Sequence, residues 1–264
     1  MGELAFVGLG LSDERGLSER ARTVLASSAV VFAEEYTAVA APGTLERLGG
    51  LLDRPVHRLD RPLLESEGPI LEALATHARV ALVVVGDPFA ATTHVALRLA
   101  AERAGHTWSY WPNASILTAA AGFLGLMQYR FGRTVSLPLP ASGFAPTSPL
   151  ELIAANRARD LHTLVLLDLR PEEGRFLTAT AALTLMRQRD PDARWLHEGD
   201  RVGVVARVGQ ETASAWVGPF ARLRALDFGP PMHAVIVCAP TLHFEEEEAV
   251  KRYVVADVAR SPGT

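Results

Sequence analysis

Two turns in the N-terminal half of the chain carry residue types that could bind a ligand. Residues 8–13, of sequence GLGLSD, follow the apolar run 4–7, and Gly86-Asp87-Pro88 follows the apolar run 80–85. Ligands of open α/β sheets bind at the carboxyl ends of the strands, where loops meet helix N-termini. Both turns occupy such positions, so the sequence predicts that they line one binding site.

The first turn suits a ligand without phosphate groups. A dinucleotide fingerprint would place a glycine at position 13, where this chain has Asp13. A carboxylate there opposes a pyrophosphate, and the glycine-lysine-serine/threonine pattern of a P-loop does not occur in the sequence. NAD and ATP are therefore disfavoured. The alternatives to ligand binding are a plain tight turn at residues 8–10 and a capping role for Asp87.

The other reactive residue types do not form a familiar constellation. The eight histidines show neither His-x-x-x-His nor His-Glu-x-x-His spacing, so we predict no metal site. His94 and His162 are interpreted as local hydrogen-bonding residues, whereas His233, at the start of a late buried strand, is either structural or functional. Cys238 lies in an apolar strand, where a thiol is usually inert. The acidic run 245–248 is typical of the first turn of a helix.

The pattern of apolar runs predicts two α/β domains. In the first half, strands alternate with helices, which indicates a parallel sheet. The second half is richer in strands and is predicted to hold a mixed sheet. We place the boundary near residue 112, giving domains 1–112 and 113–264. The predicted strands are 4–7, 29–32, 80–85, 163–167, 202–208, 213–217 and 234–238, and the predicted helices are 18–26, 93–103, 150–158 and 178–187.

Composition indicates the cellular compartment of the protein and the kinds of partner it is expected to bind. Its 264 residues are 48% hydrophobic and 21% charged, as expected of a soluble chain with a sizeable core. The net charge of −4 gives no reason to expect a nucleic-acid or membrane partner. A single cysteine excludes an internal disulfide, and Glu3 stands where a signal peptide carries positive charge. The expectation is a cytoplasmic protein.

Several segments spread nearly end to end carry a family pattern. They are GLGLSDER at 8–15, VFAEEYT at 31–37, GDP and AATTH within 86–94, NASI at 113–116, FAPTS at 144–148, LHTL at 161–164 and DFGPP at 227–231. In these segments the chain resembles the diphthine synthase family. The Gly-Asp-Pro loop alone is shared with the tetrapyrrole methylases, whereas the FAE and ATTH segments are more specific to diphthine synthases.

The resemblance implies a fold and a cofactor. The fold would be the two-domain tetrapyrrole methylase-like α/β fold, as a homodimer, with S-adenosylmethionine in the cleft between the domains. S-adenosylhomocysteine would be the product. Several of the implied contacts are apolar, so backbone hydrogen bonds and packing around the adenine would supply them. The implied cofactor-binding residues are Leu11, Asp87, Ala90, Ser115, Ile116, Leu167, Val208 and His233.

The resemblance also implies a substrate, namely a histidine of elongation factor 2 that carries a 3-amino-3-carboxypropyl group. Methylation of its amino group to a trimethylammonium would give diphthine, in the pathway of diphthamide biosynthesis. Because an α-amino group has a pKa of about 7.7–8.0, no strong base is required, and we assign no catalytic residue. Asp168 and residues 34–36 (Glu-Glu-Tyr) are hypotheses for holding the cationic amine.

Two alternatives remain at this point. A tetrapyrrole C-methyltransferase, such as a precorrin enzyme, would use the same cofactor but would need several arginines at the mouth of its site for a polyanionic macrocycle. A non-catalytic nucleotide-binding module would use the turn at residues 8–10 without transferring a methyl group. Asp13 and the missing P-loop lysine argue against the second alternative.

Overall fold

The structure, a computed structural model, describes residues 1–34, 36–141 and 144–255. Contacts divide the chain into two units that are not continuous in sequence. The first unit contains residues 1–119, 169–176 and 207–212, and the second contains residues 120–168, 177–206 and the chain from 213 onward. The proposed domain boundary at residue 112 stays a prediction.

The first unit is built on a parallel sheet of strand order β3-β2-β4-β1-β5. Its central strands are apolar along most of their length because both faces of a parallel sheet are buried. The predicted parallel sheet is thereby confirmed. The elements are β1 (Glu3–Gly10), α1 (Glu19–Ser27), β2 (Val30–Glu34), α2 (Thr44–Leu52), β3 (Val56–Leu59), α3 (Arg61–Glu65), α4 (Gly68–Thr76), β4 (Arg79–Val85), α5 (Val95–Arg103) and β5 (Thr107–Trp111), with α6 (Ile116–Leu124) following.

Helix starts in the first unit follow the predictions in one case and depart from them in another. Ser18, at the predicted start of the first helix, caps α1, since its hydroxyl oxygen accepts the N–H of Ala21 at 3.1 Å. At α5 the predicted start at residue 93 is two residues too early, and neither Thr92 nor Thr93 caps the helix. His94 precedes the helix without a capping hydrogen bond, and the Thr92 hydroxyl instead donates to the carbonyl of Pro88 at 2.6 Å.

The second unit contains a mixed sheet of order β11-β10-β12-β7-β6, as predicted. Strands β6 and β7 run parallel, and the other neighbours are antiparallel. Its core includes the fully buried Phe220 and Phe228. The elements are β6 (Val135–Leu137), α7 (Ser148–Arg157), β7 (Thr163–Leu167), α8 (Ala179–Arg189), β10 (Arg201–Ala206), β11 (Ser214–Pro219), α9 (Phe220–Leu223), β12 (His233–Val237) and α10 (Phe244–Val250), while β8 (Leu169–Arg170) and β9 (Arg175–Phe176) pair in the first unit.

A buried ionic network anchors α10 in the second unit. The Glu246 side chain is fully buried, and its carboxylate accepts the N–H of Met127 at 2.8 Å, Nε2–H of His162 at 3.1 Å and the guanidinium of Arg130. Burial alone would raise the pKa of Glu246. The N–H groups of Met127 and His243 and the side chain of His162 outweigh burial, so the pKa lies below its ordinary value.

His162 completes this network as a neutral imidazole. Its Nδ1 accepts the N–H of Ala239 at 2.9 Å, so the ring proton lies on Nε2 and is donated to Glu246. Burial lowers the pKa of His162, which keeps the ring neutral. The structural interpretation of His162 is confirmed, as is the helical first turn at residues 245–248.

Candidate functional site

The two glycine turns meet at one edge of the parallel sheet. Strands β1 and β4 are neighbours and run in the same direction, so their carboxyl ends lie together. The N–H of Gly10 donates to the carbonyl of Gly86 at 3.1 Å, and the N–H of Gly86 donates to the carbonyl of Gly10 at 2.8 Å. The predicted convergence of the two turns is confirmed.

Asn113 ties the first turn to the loop after β5. Its side-chain amide donates to the carbonyl of Gly8 at 2.9 Å and to that of Gly16 at 3.0 Å. A Cβ atom at Gly8 would lie 2.7 Å from Cβ of Asn113 and 2.8 Å from the carbonyl oxygen of Gly86. Position 8 is therefore glycine because three backbone segments approach closely there.

The arrangement of the two glycine turns is unsuited to a phosphate group. The N–H groups of Gly10 and Gly86 donate to each other's carbonyls, so they do not form the outward-facing nest that cradles phosphate oxygens. Asp13 adds a negative charge at the same turn. Its side chain caps the short 3-10 helix Glu14–Gly16 and pairs with Arg15 at 2.7 Å. Hydrogen bonds from Arg15 hold the pKa of Asp13 below its ordinary value, so the carboxylate is charged.

Asp87 connects the second turn to β5. Its Oδ1 accepts the N–H of Phe89 at 3.0 Å, and its Oδ2 accepts the hydroxyl of Tyr110 at 2.6 Å and the N–H of Asn113 at 3.3 Å. Burial and the bond to Asp87 raise the pKa of Tyr110 to about 12, so Tyr110 remains the donor. The turn-capping interpretation of Asp87 is confirmed, and its contact with a cofactor stays a prediction.

His94 also holds the Gly86-Asp87-Pro88 turn in place. Its ring is buried, and because a carbonyl only accepts, Nδ1–H donates to the Pro88 carbonyl at 2.7 Å. The opposite nitrogen, Nε2, lies 3.9 Å from Oε2 of Glu34. The interpretation of His94 as a local hydrogen-bonding residue is thereby confirmed.

Glu34 is occupied with the backbone of its own loop. It is 1% exposed, and its Oε1 accepts the N–H of Tyr36 at 2.6 Å and that of Thr37 at 2.5 Å. The Thr37 hydroxyl donates to Oε2 at 2.8 Å. A carboxylate this enclosed does not reach a substrate amine, so that hypothesis is wrong for Glu34. Glu35 lies outside the described residues, and Tyr36 is half-buried.

Six of the predicted cofactor-binding residues lie in the first unit, on four segments. Asp87 and Ala90 follow β4, and the Asp87 carboxylate binds the loop that leads to Ser115 and Ile116. Val208 belongs to the segment 207–212, which packs against Leu11. A Cβ atom at Gly209 would lie 2.8 Å from Cβ of Leu11. All four segments therefore gather around the edge formed by the two glycine turns.

The other two predicted residues lie in the second unit. Leu167 ends β7 and His233 begins β12, and these strands are antiparallel with Ala234 opposite Leu166. Leu167 and His233 therefore share one edge of the mixed sheet. The Nδ1 atom of His233 accepts the N–H of Ala179, the first residue of α8, at 3.1 Å.

Asp168, one residue beyond β7, behaves as a turn carboxylate. Its Oδ2 accepts the N–H of Leu139 at 2.9 Å, and its own N–H donates to the carbonyl of Leu137 at 3.1 Å. These bonds join the ends of β6 and β7. They give Asp168 a structural role at the strand ends, and binding of the substrate amine by Asp168 stays a hypothesis.

The remaining candidates contribute little chemistry. Burial raises the pKa of Cys238 to about 12, which makes its thiol a poor nucleophile. Within residues 1–34, 36–141 and 144–255, histidine, cysteine and carboxylate side chains do not cluster in groups of three or more that could hold a metal ion. In the same part of the chain, the helices are too short or too polar to span a bilayer.

Comparison with known proteins places this geometry in a class. The profile of the Tetrapyrrole (Corrin/Porphyrin) Methylases matches residues 3–224. A diphthine synthase from Methanocorpusculum labreanum is 35% identical over 95% of this chain and 98% of its own length. One from Methanoregula boonei is 36% identical over 95% and 98%. A crystal structure of a diphthine synthase superposes with a TM-score of 0.86 at 32% identity, covering 96% of each chain.

The chain therefore belongs to the tetrapyrrole methylase family and, within it, to the diphthine synthases, which are S-adenosylmethionine-dependent methyltransferases. At the sheet edge formed by the two glycine turns, which we call the glycine-turn edge, the structure adds residues for which the sequence predicted no role. They are Arg15, Asn113 and Tyr110. A signal for Asn113 was available, since it follows the strand next to β1 and must emerge at the same edge of the parallel sheet.

Proposed function

We propose that the protein transfers methyl groups from S-adenosylmethionine to the amino nitrogen of 3-amino-3-carboxypropyl-histidine in elongation factor 2, giving diphthine. The observation that carries this proposal is the match to diphthine synthases along nearly the whole chain. The glycine-turn edge supports it, because its mutually bonded backbone groups suit a cofactor without phosphates.

The chain's own residues would hold and orient the donor. Leu11, Ala90, Ile116 and Val208 offer half-buried apolar surface and backbone polar groups, and Ser115 adds a hydroxyl. Leu167 and His233 complete the predicted set. When bound, S-adenosylmethionine supplies a methyl group on a positively charged sulfur that is an excellent leaving group.

The residues present match the modest demands of the reaction. An in-line transfer to an amine depends mainly on proximity and alignment. Loss of the amine proton at pH 7 costs about 1–1.4 kcal/mol, so water can accept it without a dedicated base. Positive charge passes from sulfur to nitrogen, and the site needs to exclude water more than to stabilise a new ion.

The alternative, methylation of a tetrapyrrole carbon, has less support. The family profile covers both activities, but the curated relatives that align over the whole chain are diphthine synthases. A polyanionic macrocycle would call for a strongly basic site. The first turn instead carries Asp13 and Glu14 on adjacent positions, and their negative charges offset those of Arg15 and Arg47, so the turn is not strongly basic.

The proposed substrate sets the proposed partners and location. We infer that the protein acts in the cytoplasm, where elongation factor 2 works, and that it forms a homodimer. Nucleic acid and membranes have no part in this scheme. Size-exclusion chromatography with light scattering tests the dimer; a monomer at micromolar concentration would contradict it.

A transfer assay tests the proposed function. The protein is incubated with S-adenosylmethionine labelled in its methyl group and with one acceptor: elongation factor 2 carrying the modified histidine, the unmodified factor, or a precorrin. We expect label in the modified factor alone, with successive methyl additions visible by mass spectrometry. Label only on the tetrapyrrole would overturn the proposal in favour of its rival.

A further inference from the structure

A cavity of about 550 Å³ opens beside the first glycine turn, entirely within the first unit. Leu11 and Val208, two of the residues predicted to bind S-adenosylmethionine, each immediately precede in sequence a residue that lines this cavity. The volume lies within the usual range of small-ligand sites. The cavity is lined by Ser12, Asp13, Arg15, Gly16, Ala41, Gly209, Gln210, Glu211 and Thr212.

The walls of this cavity are held in place by local packing. Gly209 has a φ of +91°, and a Cβ atom there would meet Cβ of Leu11 at 2.8 Å, so the segment 207–212 lies directly on the turn. The N–H of Ala41 donates to the carbonyl of Ser12 at 3.2 Å, which fixes a second wall. Glycine at position 209 allows this contact because it tolerates a positive φ.

Arg15 is held ready to bind a carboxylate. Nε–H and Nη2–H donate to the Asp13 carboxylate at 3.0 and 2.7 Å, while the Arg15 side chain remains 73% exposed. Asp13 thus fixes one side of the guanidinium fork, and the Nη1 side is left to engage a ligand. A planar, preoriented guanidinium is the protein group best matched to a carboxylate.

The cavity is also lined by a negatively charged side chain, opposite in sign to Arg15. Glu211 is exposed, lines the same cavity and acts electrostatically on Arg15. The neighbouring carboxylate of Glu14 is paired with Arg47 at 2.8 Å and so adds little to the field here. A guanidinium and a free carboxylate in one small cavity are complementary to a ligand that bears both a carboxylate and an ammonium group.

We propose that this cavity binds the amino acid head group of the substrate, with Arg15 recognising the carboxylate of the 3-amino-3-carboxypropyl group and Glu211 attracting its ammonium. The inference rests on the proposed function and deepens it by assigning specificity. Arg15 distinguishes the acid from a carboxamide, so a head group whose carboxylate has been amidated is no longer recognised.

The test compares two synthetic imidazoles as competitive inhibitors of methyl transfer to the modified elongation factor. One bears the 3-amino-3-carboxypropyl group and the other bears the corresponding carboxamide. The wild type should prefer the acid by about tenfold or more, as expected for a charge-assisted hydrogen bond. Arg15→Ala should bring that ratio close to one, Arg15→Lys should keep part of it, and Glu211→Gln should weaken both inhibitors.

A matched control and a second readout separate the outcomes. Arg20→Ala removes the same charge from an exposed position of α1 and should keep the wild-type ratio. The Kd for S-adenosylhomocysteine should be unchanged in Arg15→Ala, which shows that the fold and the donor site survive. An undiminished acid preference in Arg15→Ala overturns this inference alone. A wild type that binds donor yet methylates no factor overturns the proposed function and this inference with it.

Discussion

Two guanidinium–carboxylate pairs show how the same chemistry serves different ends in the two units. Arg130 and Glu246 in the second unit are 17% and 0% exposed, and Glu246 accepts further bonds from a backbone N–H and a histidine. Arg15 and Asp13 in the first unit are 73% and 10% exposed and border an open cavity. The first pair is saturated by its surroundings, whereas the second keeps hydrogen-bonding capacity for a ligand.

The comparison indicates where function is to be sought in this fold. A buried, fully bonded pair contributes to stability only as long as both partners remain. An exposed pair contributes little to stability but can orient a charged group. Mutations of the Arg130–Glu246 pair should therefore lower the free energy of unfolding, whereas mutations of the Arg15–Asp13 pair should mainly weaken ligand binding.

The largest expected effect is on stability. Glu246→Ala leaves the Arg130 guanidinium without its buried partner and removes the half of the α10 capping box that Glu246 supplies, so the free energy of unfolding should fall by about 3–5 kcal/mol. Urea unfolding measures it. Glu245→Ala, at an exposed position of the same turn, is the control and should lose under about 1 kcal/mol. Equal losses in the two variants would contradict the contrast between the two pairs.

The next effect should appear in both stability and donor affinity. Gly8→Ala places a Cβ atom 2.7 Å from Asn113 and 2.8 Å from a rigid backbone carbonyl, which costs about 1–3 kcal/mol and shifts the turn. We expect the affinity for S-adenosylhomocysteine, measured by calorimetry, to fall about tenfold. Gly199→Ala, where a Cβ atom would meet no neighbour within 4 Å, should bind normally. Normal binding by Gly8→Ala would place the donor elsewhere.

Acid should destabilise the second unit through its buried network. The pKa of His162 is lowered in the folded protein, so only the unfolded chain takes up that proton as pH falls below about 6.5. Because the pKa of Glu246 is lowered in the folded protein, this carboxylate stabilises the fold at pH values above its ordinary pKa. That stabilisation is lost as the pH falls further. Urea midpoints should drop from pH 7.5 to 5.5 and again by pH 4. His162→Gln should flatten the first step, and an unchanged first step would dismiss His162 as its source.

The smallest expected effect is at Tyr110. Tyr110→Phe removes one hydrogen bond to Asp87 while the bonds from Phe89 and Asn113 remain. The loss of stability should be about 0.5–1.5 kcal/mol, with donor affinity within about threefold of the wild type. A large loss of affinity would show that the orientation of Asp87 depends on this hydroxyl rather than on the backbone.

The parts of the fold that were predictable are those whose sequence pattern is governed by burial alone. The core strands β1 and β4 are continuous apolar runs, and Ser18 is a direct signal for α1. The region 37–79 gave no prediction, although it folds into α2, β3, α3 and α4, because prolines and glycines lie within or beside each short element. Strand β5 was missed because, as an edge strand, it is partly exposed and lacks an apolar run.

The site was predictable at its backbone and less so at its side chains. The two turns were placed by the rule that parallel strands end at one edge, which needs no knowledge of side-chain direction. Glu34 was misjudged because sequence does not show that its carboxylate turns back onto the N–H groups of its own loop. The role of Asn113 depends on contacts with Gly8 and Gly16, about a hundred positions away, which local patterns do not reveal.

The central claim is that the glycine-turn edge at Gly10 and Gly86 binds the methyl donor. A crystal structure with S-adenosylhomocysteine tests it most directly. We expect density for the ligand against Leu11, Asp87 and Ser115, with the hydrogen bonds between the two turns intact. Density for the ligand distant from both turns would contradict the account.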